Sequence, residues 1–384
     1  MKSIRYRFSP NVSPKKIRLI KFIDEALFFL RGKAKEHHNV EIKEITITQL
    51  AHIGDLILLL PALKKLKALT NYKINLVVSS QNYSIASKMN FLDSVTVVDA
   101  PYFARNGGAS YKKFIKQLRT VKSDLIVDVR GDLRNIVFIK AFTRHKLFAG
   151  YDVGGGEGLL DIVFPYGFND HITGLIDPLF NYLKLPDTKL EAYWHHDDLP
   201  FEIVEGYDFS SDFMVVHLGA GAMARKWPFE SFLKVIKELS TDLPVYVLGT
   251  HADASESEIE QLNAVENVNV CIGKFNILQS IYIVKNCKVF LGLDSGFTHI
   301  AAMCKRKVFV LFSGAANKVI WNPYNFYDDQ VTLINYEVEC NQKTGCGKLV
   351  CDDNICMKYI TPGKVINSIK LYLKTDDVVH QLPE

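Results

Sequence analysis

Three short stretches set charged side chains beside small residues where a strand gives way to a helix. In "LAHIGDLILLLPALKKLK" (residues 50–67), Asp55 follows Gly54 and opens an amphipathic helix, just after the apolar run "EITIT" at Glu44–Thr48. Its carboxylate is open to two readings. Aspartate caps helices by accepting from their first free N–H groups. At the carboxyl end of a strand in an open α/β sheet it also stands where ligands bind, as a general base would. In "RKWPF", Lys226 precedes a helix that Pro228 starts, and a helix N-terminus favours an anion. Alone, Lys226 would read as a solvated loop residue; beside a phosphate it is a compact full charge. In "FLGLDSGFTHIAAMC", Asp294, Ser295 and Gly296 close a strand, and Thr298 and His299 fall in the first turn of the next helix. The N–H groups of Ser295 and Gly296 suit a second phosphate. Asp294 suits a sugar hydroxyl or a cap, and His299 a satisfied polar position at a domain face. The combination is what transfer from a nucleotide-sugar requires: a base for the acceptor hydroxyl, and positive charge for a departing diphosphate.

The segments between these stretches alternate between strand-like and helix-like patterns, twice over. Strands are expected at "EITIT", "KINLVVSS", "SVTVVDA" and "SDLIVDVRG", then a glycine-rich interval "GYDVGGGEG" and a helical "LIDPLFNYLKL". A second series follows at "FMVVHLG", "LPVYVLGT", "VNVCIG", "CKVFLGLDSG" and "RKVFVLFSG". Alternation of this kind implies parallel sheets covered by helices. The expected class is α/β, with two Rossmann-like doubly wound domains facing each other across a cleft. The expected divisions are a basic N-terminal extension at 1–42, an acceptor domain at 43–195, a linker at 196–211, a donor domain at 212–360, and a helix at 361–384 that crosses back to the first domain.

Composition narrows the field. The chain has 384 residues, 48% hydrophobic and 23% charged, and no apolar run approaches the ~20 residues of a membrane span. No secretory signal pattern is read at its start. The net charge of +4 hides an asymmetry: residues 1–43 hold eleven Lys/Arg against four Asp/Glu, a net +7, and the rest carries −3. Within the extension, "PKKIRLIKFIDEALFFLRGK" sets Leu19, Ile20, Ile23, Ala26, Leu27 and Leu30 at helical spacing. A basic amphipathic helix of this kind suits an anionic membrane surface, through residues 14–33, or a packing face on the protein itself or a second copy. A mildly acidic body with no aromatic-basic platform argues against nucleic acid. The stretch from Gly219 to Ala224 matches the G-x-G-x-x-A dinucleotide fingerprint, so an NAD-dependent oxidoreductase is a rival. Against it, Pro228 starts the helix several residues late, and the strand "VYVLGT" does not end in the ribose-binding acid but runs on to His251 and Asp253. A non-catalytic sugar-nucleotide binding module is the other rival.

"HIGDLILLLPALKKLK", "RKWP" and "DSGFTHIAA" resemble, in order and spacing, motifs of glycosyltransferase family 9, the ADP-heptose:lipopolysaccharide heptosyltransferases. "DLIVDVRGDLRN", "FAGYDVGGGEG" and "CMKYITPGKVINSI" are similar to further segments of that family. The resemblance spans about residues 43–372. It implies a GT-B architecture and inverting transfer without a metal or other cofactor, most readily of heptose from ADP-heptose onto a lipopolysaccharide core or related acceptor. Another nucleotide-sugar, or a protein acceptor of the autotransporter kind, is the alternative. By position, Asp55 resembles the general base. Lys226, Asp294, Ser295, Gly296, Thr298, His299 and Gly219 fall in donor-binding segments. His52, Gly54, Arg130 and Arg134 fall in segments facing an anionic, lipid-linked acceptor. The implied location is cytoplasmic, on the inner face of the inner membrane if the extension binds lipid. Two departures stand out. Ala51 and His52 occupy the place of two small hydroxyl residues, and His251 or Asp253 replaces the acid after "VLG". Cys340, Cys346, Cys351 and Cys356 are spaced too irregularly for paired metal knuckles and read as a reduced loop, although some relatives that modify autotransporters bind iron through cysteines.

Overall fold

The computed structural model describes residues 14–30, 40–103, 109–151, 153–167, 171–324, 329–339 and 345–380. The chain forms two compact units that divide between Asp198 and Leu199, inside the segment expected to be a linker. No regular element occupies residues 193–213. Of the N-terminal extension, a helix at Pro14–Leu30 is described, and Cys340 lies outside the described residues. Among the described residues, no helix is long and apolar enough to cross a membrane.

The first unit is built on a six-stranded parallel sheet of order β3-β2-β1-β4-β5-β6. Its strands are β1 (Glu44–Gln49), β2 (Lys73–Val78), β3 (Ser94–Val97), β4 (Lys122–Asp128), β5 (Arg144–Tyr151) and β6 (Ile162–Phe164). The second unit repeats the topology with order β12-β11-β10-β7-β8-β9. These strands are β7 (Met214–His217), β8 (Val245–Leu248), β9 (Val268–Val270), β10 (Val289–Leu293), β11 (Lys307–Phe312) and β12 (Val331–Asn335). The expected α/β class of two doubly wound units, as in the GT-B fold, is borne out. Central strands are apolar throughout because helices cover both faces: β10 and the whole of β11 beyond Lys307 are buried.

In each sheet the strand order turns outward in both directions from one pair of neighbours, β1 and β4 in the first unit and β7 and β10 in the second. Loops leaving two such strands part to opposite faces, and the gap between them is where open α/β sheets take ligands. The helix after β1, Ile53–Leu69, buries Leu56 through Leu63 with little polar relief, so it is fixed on every side. At its far end Lys64 pairs with Asp198 at 2.6 Å and Lys65 donates to Thr188 O at 2.5 Å. In the second unit Trp227 donates its indole N–H to Ile360 O at 3.0 Å. The helix Pro362–His380 buries Val365 and Ile369 in the same core, and its Lys370 pairs with Glu238 at 2.5 Å.

Candidate active site

The turn after β1 is held by its backbone. Ala51 O accepts from Asn82 Nδ2 at 3.0 Å, Gln81 Nε2 at 3.3 Å and Ser79 Oγ at 3.5 Å, while Gln49 Oε1 takes the Ala51 N–H at 3.2 Å. His52 occupies the N-cap position and makes no side-chain capping bond. Gly54 is half-buried and His52 exposed. Asp55 is the third residue of the helix, in its first turn, and so is not the cap. Its side chain is 12% exposed, and Oδ1 lies 3.8 Å from Nη1 of Arg130.

Arg130 comes from the loop after β4, with its guanidinium 5.0 Å from the centre of the Phe103 ring. That loop is shaped by a carboxylate singled out by no motif. Asp128 ends β4 fully buried; it accepts from Thr48 Oγ1 at 2.8 Å, Asn135 Nδ2 at 3.1 Å and Gly131 N at 2.9 Å. Burial nevertheless pushes its carboxyl up to about 6, against the pull of those bonds. Gly131 has φ +66°, and a Cβ there would meet Val153 Cγ1 at 2.5 Å, so only glycine fits the bend. Arg134 is occupied locally: it donates to both oxygens of Asp132, at 2.9 and 2.6 Å, and lies over the Tyr102 ring at 4.5 Å. Burial raises the Asp132 carboxyl, but the Arg134 hydrogen bonds outweigh it and hold the group below the usual range.

In the second unit, the turn Met223–Arg225 follows β7 and the helix Phe229–Leu239 starts only after Pro228. No helix begins at Gly219 or Gly221, which removes the structural context of a dinucleotide fingerprint. Gly219 is required for another reason: a Cβ would come within 2.6 Å of the Asp253 carboxylate, which is held by Thr250 N at 2.7 Å and Thr250 Oγ1 at 2.8 Å. Lys226 closes the turn, half-buried, with Nζ 3.4 Å from Ala252 O.

Asp294 pairs with Arg225, a residue the sequence did not single out. Its Nη1 lies 3.0 Å from Asp294 Oδ2, with Asp294 only 4% exposed. Ser295 is the N-cap of the helix Gly296–Met303 and makes no side-chain cap bond. Thr298 is fully buried, with its hydroxyl donating to Leu293 O, and His299 is buried beside it. His217, at the end of β7, stacks on Phe297 with ring centres 4.5 Å apart, and burial pushes its imidazole down to about 4.

The cysteine-bearing segment braces this turn. Ala224 N donates to Leu349 O at 3.0 Å, Asn354 Nδ2 donates to Lys226 O at 3.0 Å, and Ser313 Oγ donates to Ala224 O at 2.8 Å. Cys356 Sγ lies 3.8 Å from Ser313 Oγ, and Cys351 Sγ accepts from Asn354 N at 3.4 Å. Among the described residues, one group of His, Cys, Asp or Glu lies within ligating reach of one another: His195, His196 and Asp197, largely exposed and remote in sequence from both turns. The sequence signals for the missed residues were faint. Arg225 adjoins Lys226 and looks like its equivalent, and Asp128 and His217 end apolar strands as solitary polar residues.

Comparison with known proteins bears on the family and the fold. A family profile described as glycosyltransferase family 9 (heptosyltransferase) matches residues 111–349. A family 9 glycosyl transferase structure from Veillonella parvula superposes with TM-score 0.68 at 17% identity, covering 88% of this chain and 99% of that one. Escherichia coli ADP-heptose lps heptosyltransferase II gives 0.65 at 15% identity over 87% and 99%. E. coli heptosyltransferase WaaC with ADP-2-deoxy-2-fluoro heptose gives 0.62 at 15% over 86% and 99%. A search of curated sequences returns no match. The profile covers more than half of the chain, and the chain therefore belongs to glycosyltransferase family 9, the heptosyltransferase family.

Proposed function

We propose that this glycosyltransferase moves heptose from ADP-heptose to an anionic, lipid-linked glycan of the lipopolysaccharide core type, with inversion and without a metal. Asp55 takes the proton of the acceptor hydroxyl as its oxygen attacks C1 of the sugar. The bond from C1 to the diphosphate oxygen breaks, and the nucleoside diphosphate leaves with the bonding pair. A single displacement on the opposite face inverts C1. Lys226 and the N–H groups at Ser295 and Gly296 offset the charge that develops on the leaving group. Arg130 and Gly54, beside the base, meet the acceptor. The carrying observation is the engagement of Asp55: it is not spent as a helix cap, and its cation stands at 3.8 Å, beyond direct hydrogen-bond reach.

The donor rests on likeness to a protein, E. coli heptosyltransferase WaaC, described with ADP and with ADP-2-deoxy-2-fluoro heptose. Support for a different acceptor comes from Ala51, whose buried carbonyl is already enclosed by Ser79, Gln81 and Asn82 and which brings no hydroxyl to the turn. The reading carries with it a cytoplasmic location. Its test is a thermal-shift panel of ADP, UDP, GDP, NAD and ADP-heptose, since a ligand that binds the native state raises its melting temperature by mass action. Stabilisation by ADP and ADP-heptose alone, followed by transfer to core oligosaccharide that persists in chelator, is the expected result. Stabilisation by NAD without ADP, or ADP-heptose binding with no transfer to any core acceptor, would overturn it.

A further inference from the structure

The helix Pro14–Leu30 docks on the first unit by a polar contact and turns apolar side chains away from it. Asp24, 1% exposed, accepts the N–H of Gly156. Ile17 and Ile20 share that side and are half-buried. With helical spacing, Lys15, Leu19, Phe22 and Ala26 fall on the opposite side and Ile23 at its margin. Phe22 is 69% exposed, Leu19 57% and Ile23 38%. A helix that served only to complete the core would bury these three and expose the aspartate. Arg18 flanks the same apolar side, and residues 1–43 carry a net +7.

From this inverted packing we propose that the helix lies on an anionic lipid surface, with Phe22, Leu19 and Ile23 among the acyl chains and Lys15 and Arg18 at the headgroups. An apolar stripe with Lys15 at its head and Arg18 at its edge, where Glu25 stands two turns further on, within an extension of net positive charge, matches such a surface in hydrophobicity and in sign of charge. Given the function proposed above, the docking contact also bears on the acceptor. Gly156 sits against Ile136 and Leu133, a Cβ at the nearby Gly154 would stand 2.0 Å from Gly131 O, and Gly131 belongs to the loop that carries Arg130. The helix therefore holds the acceptor-side loop of this unit at a fixed height above the lipid, where a lipid-linked acceptor presents its glycan.

The test uses the full chain and co-sedimentation with vesicles, either pure phosphatidylcholine or phosphatidylcholine with about a third phosphatidylglycerol. Wild type should bind the anionic vesicles at least ~10-fold more tightly, and should release as salt is raised. The variant L19S/F22S/I23S should lose ~10²-fold, and K15E/R18E about fivefold or more per charge, with melting temperatures unchanged because these side chains are exposed. Equal binding to both vesicle types, or undiminished binding by the triple variant, would overturn the proposal. So would a wild-type dimer that the triple variant dissociates while vesicle binding stays absent, since a second copy would then cover this face. Lipid binding is read without any sugar transfer, so a failed donor or acceptor assignment leaves this result intact.

Discussion

The two sheets share one topology, and each sets an arginine against an aspartate where its strand order turns, but the pairs are built in opposite senses. In the first unit the acid belongs to the helix after β1 and the arginine to the loop after β4, 3.8 Å apart with the arginine about one-third exposed. In the second the arginine follows β7 and the acid ends β10, 3.0 Å apart with the acid almost wholly buried. The longer pair leaves the Asp55 carboxylate outside direct hydrogen-bond reach of its cation, as the base proposed above requires. The closer pair ties a buried carboxylate to the turn that ends at Lys226, although its arginine is about as exposed as Arg130. One architecture thus carries two opposite charge arrangements, by exchanging which loop carries which charge; the function proposed above uses the first for a base and the second for an anion clamp.

The largest effect should come from breaking the first of these roles. Asp55→Asn keeps the side-chain volume and leaves the N-cap untouched, so the melting temperature should hold within a few degrees. Turnover should fall by ~10²–10⁴-fold, the range for removing a general base. A variant with near wild-type turnover would leave Asp55 a mere helix residue and end the contrast between the units. Next in size is Lys226→Ala. Charge on the diphosphate grows as the glycosidic bond breaks, so the loss should appear in turnover, by ~10²-fold, more than in donor affinity. Lys226→Arg should recover only part, because a planar fork does not replace a compact ammonium. Equal losses in donor affinity and in kcat/KM with kcat unchanged would show ground-state binding alone.

A third test sharpens the comparison through pH. Burial pushes Asp128 up to about 6 from 3.8, so between those values the native first unit keeps a proton the unfolded chain has lost. Stability from this group is present in acid and declines as pH rises through the window. Burial pushes His217 down to about 4 from 6.5, so the unfolded chain takes up a proton that the native second unit refuses. Stability from that group is present above 6.5 and declines as pH falls toward 4. Each amounts to about 3 kcal/mol across its window. Hydrogen exchange resolved by unit, at several pH values between these limits, should show opposite slopes, with Asp128→Asn flattening the first and His217→Gln the second. Parallel slopes that neither variant alters would remove both buried groups as the cause.

Periodicity carried most of the architecture. Nine of the twelve described strands fall on the expected runs; seven of these are buried along all or most of their length, while β3 and β9, at sheet edges, are mostly half-buried and were legible from their β-branched runs. The strands it missed are β5, β6 and β12. β5 opens with Arg144, His145 and Lys146, β6 has three residues at a sheet edge, and β12 is an edge strand half-buried along most of its length, so none shows the continuous apolar run of a central strand. Motif spacing located both turns and most of their charges but not how those charges pair. Arg225 and Lys226 are adjacent cations in sequence, and only the backbone of the Met223–Arg225 turn sends one back onto Asp294. The cysteine segment likewise gave no sign that its Leu349 and Asn354 brace that turn: Leu349 does so with a carbonyl that any residue carries, and the Asn354 side chain reaches a backbone carbonyl distant in sequence, which marks no motif.

The smallest effect separates the two ion pairs directly. Arg130 lies 3.8 Å from Asp55 and is about one-third exposed, so water already screens the pair. Pairs of this kind contribute about 0–1 kcal/mol, and Arg130→Gln should change unfolding free energy by no more than that. Its cost should fall on acceptor KM, by something like tenfold, with kcat little changed, because a cation beside the base meets an anionic acceptor equally in ground and transition states. Arg225→Gln leaves Asp294 buried without its guanidinium and should cost about 2–3 kcal/mol of stability instead, somewhat below the full penalty for a wholly buried pair because Arg225 is partly exposed. Urea unfolding of the two variants side by side is the measurement. If Arg130→Gln proves as destabilising as Arg225→Gln, the pair at the first turn is structural after all, and Asp55 loses the freedom that its role as a base requires.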